Sequence, residues 1–159
     1  MQNRSWPALI GFILLVATVS ALGGWITSTS VTTWFPSLDK PSWNPPGWLF
    51  GPVWTVLYGM MAFVAWRLWR VRDSVPAARR VLVFWFVQLA LNCAWSFLFF
   101  GLRSPAAGLI DIIPLLVVIT WILVSLWRID RVLACLWTPY VLWVSFATAL
   151  NASIWLRQT

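Results

Sequence analysis

Three sets of residues share a helical face and combine flat aromatic rings with small or hydrogen-bonding groups. Gln88, Asn92, Trp95 and Ser96 recur at i, i+4, i+7 and i+8, the spacing of one face of an α-helix. Tyr140, Trp143, Ala147 and Asn151 form a second face with Phe146 alongside, and Trp54, Tyr58 and Ala62 form a third. Their chemistry is stacking on ring faces and hydrogen bonding through amides, phenols and a hydroxyl. Acid–base and metal chemistry is poorly provided for. The sequence has no His, and its four acidic residues are all Asp. Cys93 and Cys135 lack the spacing of a metal site or a redox pair. Asp111 is the one acid inside an apolar stretch, which makes it a candidate proton or cation site. Its closeness to Pro105, with Arg103 near enough to pair with it, favours a structural role instead.

The elements that position these faces follow from composition. Hydrophobic residues make up 61% of the 159 and charged residues 9%, against roughly 45–50% and 25% in a soluble domain. So few charges cannot cover a water-facing surface. A helix crossing a hydrocarbon core of about 30 Å needs about 20 mainly apolar residues. Five stretches qualify, at about 7–26, 48–66, 81–100, 106–127 and 133–155, and together they predict an all-α integral membrane bundle in one domain spanning 1–159. A secretory leader cleaved after Val19-Ser20-Ala21 fits less well, because the apolar run continues to Ile26.

The net charge of +7 does not argue for nucleic acid, since Lys and Arg sit between apolar runs instead of on one exposed face. Arg4, then Arg67, Arg70, Arg72, Arg79 and Arg80, then Arg128 and Arg131 place eight basic residues on the side of the N-terminus. Lys40, Arg103 and Arg157 place three on the other. That imbalance predicts a cytoplasmic N-terminus in a bacterial cell membrane, with the first loop outside.

Polar groups are costly against lipid, so the three faces should point into the bundle. They serve there either as helix–helix contacts or as the wall of a flat, aromatic cavity. The connection at about 27–47 is long and rich in Trp and Pro, and runs from Trp34-Phe35-Pro36 to Pro45-Pro46-Gly47-Trp48. Its stiffness suits a lid over the bundle mouth; the competing reading lays it on the headgroups with Trp as anchors. Of the fifteen Trp, Trp6, Trp25, Trp66, Trp69, Trp127 and Trp155 lie near span ends and read as interface anchors. Small-residue pairs at Ala17/Ala21, Gly47/Gly51 and Ala90/Ala94 permit close helix approach and a homodimer.

Several ordered blocks carry a family resemblance. They are Trp34-Phe35 to Leu38, Lys40-Pro41, Trp43, Pro45-Pro46, Phe50, Trp54 and Leu57-Tyr58; Gln88, Asn92, Trp95-Ser96 and Phe99-Phe100-Gly101; and Pro139-Tyr140, Trp143, Phe146-Ala147 and Leu150-Asn151. Through them the chain resembles, over essentially its whole length, the tryptophan-rich sensory protein / translocator protein family, also called the peripheral-type benzodiazepine receptor family. The resemblance implies a five-helix bundle, often dimeric, whose first loop closes a cavity. It implies binding of porphyrins such as protoporphyrin IX and haem, and of isoquinoline or benzodiazepine drugs. The family's ligand-binding positions fall on Trp34 and Trp43 in the loop, then Trp54, Tyr58, Asn92, Trp95, Ser96, Tyr140, Trp143, Phe146 and Ala147. Two departures stand out. Phe35 replaces a frequent Tyr, and Ala152-Ser153 replaces a Tyr pair, so the Tyr-to-Lys/Arg spacing proposed for cholesterol is missing and cholesterol binding is not supported.

The expected function is therefore a membrane receptor or sensor that holds porphyrins by stacking, with Lys40 or a rim Arg meeting their carboxylates. No cofactor is obligatory, and without His a haem iron would lack its commonest ligand. A tetrapyrrole transporter is the first alternative, opposed by the lack of repeat symmetry. Light-dependent porphyrin breakdown is the second, with chemistry drawn from the excited ligand and nearby Trp.

Overall fold

A computed structural model describes residues 5–158; Arg4, counted above in the charge balance, lies outside the described residues. The chain forms five long helices: α1 (Trp6–Thr33), α2 (Phe50–Val71), α3 (Pro76–Ser96), α4 (Pro105–Ile129) and α5 (Arg131–Gln158). All five are long and apolar enough to cross a membrane, and no strand occurs among the described residues. Pro sits in the first turn of α1, α3 and α4, where its missing N–H has no helical partner to lose. Asp130 accepts from the Val132 and Leu133 N–H groups at the start of α5 and pairs with Arg67 of α2 at 3.1 Å. One carboxylate thus caps a helix and fastens the α4–α5 turn to its neighbour.

The helices overrun the apolar stretches, most clearly in α1, which continues to Thr33 where the sequence suggested a loop from about Thr27. The overrun is rich in hydroxyls that bond within the helix: Thr27 Oγ1 donates to the Gly23 carbonyl at 2.6 Å, and Thr33 Oγ1 to Thr29 at 2.6 Å. Such internal bonding removes the cost of carrying Ser and Thr near lipid. The first loop proper is then Trp34–Leu49, with short 3₁₀ turns at Phe35–Ser37 and Gly47–Leu49. α3 ends in a π-helical turn, Phe97–Gly101, closed by Leu102 N–H to the Phe97 carbonyl at 2.8 Å.

The core lies among α2, α3, α4 and α5, where Met61, Leu68, Trp85, Ile119, Leu126 and Trp137 are fully buried. Two buried indoles join helices by donating to backbone: Trp85 Nε1 to Met61 at 3.1 Å and Trp137 Nε1 to Ile119 at 3.0 Å. α1 is peripheral and buries only Phe12, Val16, Gly23 and Ser30. Its first half meets α2 and α3 through Phe12, set edge-on to Trp69 and Trp85. Its second half leans on the end of α3, where Ser30 Oγ donates to the Phe100 carbonyl at 2.7 Å.

The tightest helix crossing sits at Gly108. A Cβ added there would lie 2.9 Å from both Asn151 Oδ1 and a Phe99 ring carbon. Gly108→Ala should cost about 1–3 kcal/mol by forcing α4 away from α5. Thermal unfolding of detergent-purified protein reads this, with Gly11→Ala as the control because its added methyl meets nothing. Equal midpoints for the two variants would contradict the crossing.

Candidate ligand-binding cavity

The three aromatic and polar faces meet. Tyr58 donates to Asn92 Oδ1 at 2.6 Å, Asn92 Nδ2 to the Tyr140 oxygen at 3.2 Å, and Tyr140 to Gln88 Oε1 at 2.7 Å. This chain joins α2, α3 and α5. A second bridge follows toward the loop end: Trp95 Nε1 donates to Asn151 Oδ1 at 3.2 Å, and Asn151 Nδ2 to the Pro105 carbonyl at 2.7 Å.

Beside these bridges lies a cavity of about 330 Å³ in the half of the bundle nearest the first loop. Trp54, Tyr58, Asn92, Trp95, Ser96, Trp143 and Ala147 line it, as the sequence suggested. Trp34, Trp43, Tyr140 and Phe146 do not. Tyr140 is buried behind the wall in the hydrogen-bonded chain. Trp34 packs edge-on to Phe99 at 5.6 Å, and Trp43 edge-on to Phe146, which in turn supports Trp143. These four support the wall without lining it.

The remaining wall was missed. Phe35, Phe50, Phe99 and Phe100 add rings, and Leu150 and Ile154 extend the α5 face beside Asn151, which its helical face had already placed there. Phe99 and Phe100 lie within the π turn, whose wider winding shifts their side chains around the helix axis. Trp95 stacks on Phe99 with centroids 5.1 Å apart. α1 contributes Ser20, Gly23, Gly24, Thr27 and Val31. Their spacing of i, i+3, i+4, i+7 and i+11 is one helical face of mostly small residues, a signal present in the sequence. The Gly47/Gly51 pair, read above as a close-approach motif, also borders the cavity, and a Cβ added at either would meet nothing within 4 Å.

Every lining residue is uncharged. Lys40, offered above as a partner for carboxylates, donates to the Phe35, Pro36 and Leu38 carbonyls at 2.7, 3.2 and 2.9 Å and lies over the Phe35 ring. Its three N–H donors are taken, and it holds the loop's shape. The loop crosses the end of the bundle: Trp34, Phe35 and Leu38 pack against the Phe99, Leu150 and Ile154 cluster. Arg157 at 3.5 Å and Gln158 at 3.3 Å fasten it through Asp39. Asp111 is buried with Oδ2 unpartnered, and Arg103 does not pair with it among the described residues. Asp111 is not part of the cavity wall.

Five apolar spans around an uncharged aromatic cavity, with a proline-rich loop across one end, define a multi-pass membrane protein with an internal cavity. The TspO/MBR family model matches residues 12–156. "Tryptophan-rich protein TspO" of Archaeoglobus fulgidus is 41% identical over 151 residues, 93% of this chain and 95% of that protein. "Translocator protein" of Sus scrofa is 34% identical, over 94% of this chain and 89% of its own. "Tryptophan-rich sensory protein" of Cereibacter sphaeroides is 30% identical, over 94% and 90%. The chain belongs to the TspO/MBR family.

The hydrogen-bonded chain separates two tyrosines that look equivalent in sequence. Tyr140→Phe would orphan Gln88 Oε1 and an Asn92 N–H in the dry core. Tyr58→Phe frees only Asn92 Oδ1, next to the cavity, where water can replace the lost donor. Tyr140→Phe should therefore destabilise by about 1–2 kcal/mol and Tyr58→Phe by less than half of that. Unfolding midpoints compare them, and a larger loss for Tyr58→Phe would reverse the assignment.

Proposed function

We propose that the protein is a membrane receptor for flat, largely apolar ligands, porphyrins foremost, held by stacking in the aromatic cavity. The observation that carries this reading is the wall itself: Trp54, Trp95 and Trp143 with four Phe, all uncharged, around a few hydrogen-bonding groups. Ring faces on several sides favour a plate over a flexible chain. Tyr58, Asn92 and Ser96 offer polar contacts along one side. Isoquinoline and benzodiazepine compounds share that shape and belong to the same class. The relatives carry names of both sensing and translocation, and binding is the step the two have in common. The first loop, fastened through Asp39 and Lys40, serves as the lid. The cell membrane is the proposed location, with the N-terminus in the cytoplasm, because Arg67, Arg70, Arg72, Arg79, Arg80, Arg128 and Arg131 gather at the end of the bundle away from the loop.

Quenching of tryptophan fluorescence by protoporphyrin IX tests the site. Trp54→Ala with Trp143→Ala should weaken binding by about 2 kcal/mol, roughly thirtyfold, from lost stacking. Unchanged affinity would place the porphyrin elsewhere. For orientation, Ser42→Cys and Ser74→Cys are compared after Cys93 and Cys135 are replaced by Ala. A membrane-impermeant maleimide added to intact cells should label Ser42→Cys only, and labelling of Ser74→Cys alone would invert the topology.

A further inference from the structure

The cavity wall is incomplete on one side. α1 and α2 are joined near the end of the bundle away from the loop, where Trp6 stacks on Trp66 and Trp66 Nε1 donates to the Ser5 carbonyl. Toward the loop, α1 turns its contacts to α3. Gly23 lies against Ser96, Ile26 against Gly101, and Ser30 is bonded to the Phe100 carbonyl. The first turns of α2 are held instead by α5, with Phe50 edge-on to Trp143 at 5.8 Å. The two helices part, and the faces bordering the gap are Gly24, Thr27 and Val31 on one side and Gly47, Gly51 and Thr55 on the other. All six line the cavity, and all but Thr27 are also exposed at the molecular surface. A Cβ added at Gly24, Gly47 or Gly51 would meet no atom within 4 Å. Glycine here is not permitting close packing; it leaves space.

The gap lies between two membrane-crossing helices, so it opens sideways onto lipid. Trp25 and Trp48, 75% and 72% exposed, adjoin Gly24 and Gly47 in sequence and set its level at the headgroup boundary, where exposed Trp settles. The other approach is covered by the loop, whose Trp34, Phe35 and Leu38 pack on Phe99, Leu150 and Ile154 and whose Asp39 meets Arg157 and Gln158.

We propose that this gap is a lateral portal. A flat amphipathic ligand dissolved in the loop-side leaflet slides its apolar plate between α1 and α2, leaving its charged groups at headgroup level. The uncharged wall requires that division, since no lining residue could neutralise a carboxylate drawn inside. The ligand class rests on the porphyrin reading above, whereas the route rests on the helix geometry.

A thiol inside the cavity tests the route without any porphyrin. Ser96→Cys is nearly isosteric and is made with Cys93 and Cys135 replaced by Ala. In proteoliposomes, the flat, lipid-soluble reagent N-(1-pyrenyl)maleimide should label it. Adding Gly24→Leu and Gly51→Leu should slow labelling roughly tenfold, the response to about 1.4 kcal/mol of added barrier. Val31→Ala with Thr55→Ala should speed it, which keeps the test decisive if the leucine variant fails to fold. Asp39→Ala, which loosens the loop, should leave the rate unchanged. Acceleration by Asp39→Ala with no response to the gap variants would overturn the portal and move access to the loop. Protoporphyrin affinity of the wild type is measured separately: its absence alongside gap-dependent labelling would reject the ligand class and keep the route.

Discussion

A phenol or carboxamide placed in hydrocarbon has no water to fall back on, so it must find its partner inside the bundle. The Tyr58–Asn92–Tyr140–Gln88 chain is the consequence, and it sets the rotation of three helices at once. With Tyr58 turned to Asn92, Trp54 one turn earlier in α2 can only face the same interior. With Tyr140 behind Asn92, Trp143 and Ala147 follow along α5 into that space. Trp95 and Ser96, at the next turn of α3, complete it. Rotating any one helix to send its Trp toward lipid would break at least one of these bonds. The cavity wall is thus a by-product of polar satisfaction.

α1 is exempt from that network, and its role differs accordingly. Among the described residues it donates one hydroxyl across to another helix in its second half, from Ser30 to the carbonyl of Phe100 within the π turn. The π turn and α1 depend on each other: the irregular turn leaves a backbone acceptor, and α1 supplies the donor. Thr27, Ser28, Thr32 and Thr33 on that half of α1 bond within their own helix, and Ile26 packs on Gly101. A helix held at one end by aromatic contacts to α2 and α3, and at the other by one hydrogen bond and close contacts to the end of α3, can form a wall without sealing it against α2.

What the sequence made legible was whatever repeats at helical spacing with a chemical signature. The faces through Asn92, Tyr140 and Trp54 were readable because polar or aromatic residues recur where lipid would punish them. The five spans were readable from the absence of charge. Phe99 and Phe100 were not, because a phenylalanine in a membrane helix looks the same facing lipid or ligand, and a π turn has no local sequence mark. Tyr140 sits on the right face but one layer too deep, a distinction of radial distance that periodicity does not encode, whereas Phe146 turns to a part-exposed groove between α2 and α5. Gly47 and Gly51 were ambiguous for a related reason. A glycine that lets a neighbour come close and a glycine that leaves room have the same composition and spacing, and only the position of the next helix separates them. Lys40 was misjudged because a lone cation beside an aromatic cavity resembles an anion partner, whereas three nearby carbonyls satisfy it first.

The lateral gap changes which forces can provide selectivity. For a ligand leaving water, burial against Trp and Phe would supply most of the affinity at about 25 cal/mol per Å². For a ligand already in lipid that term nearly vanishes, because acyl chains are as apolar as the cavity wall. Discrimination must then come from what lipid cannot offer: rigid ring faces set for a plate, the Asn92 and Tyr58 polar pair, and Ser96 at the α1–α3 contact. The density of Trp near this cavity follows from the same reasoning. Trp presents the largest rigid face and loses little rotamer freedom on stacking, so it can outbid mobile acyl chains for a flat ligand where a flexible Leu would gain nothing over the bilayer itself.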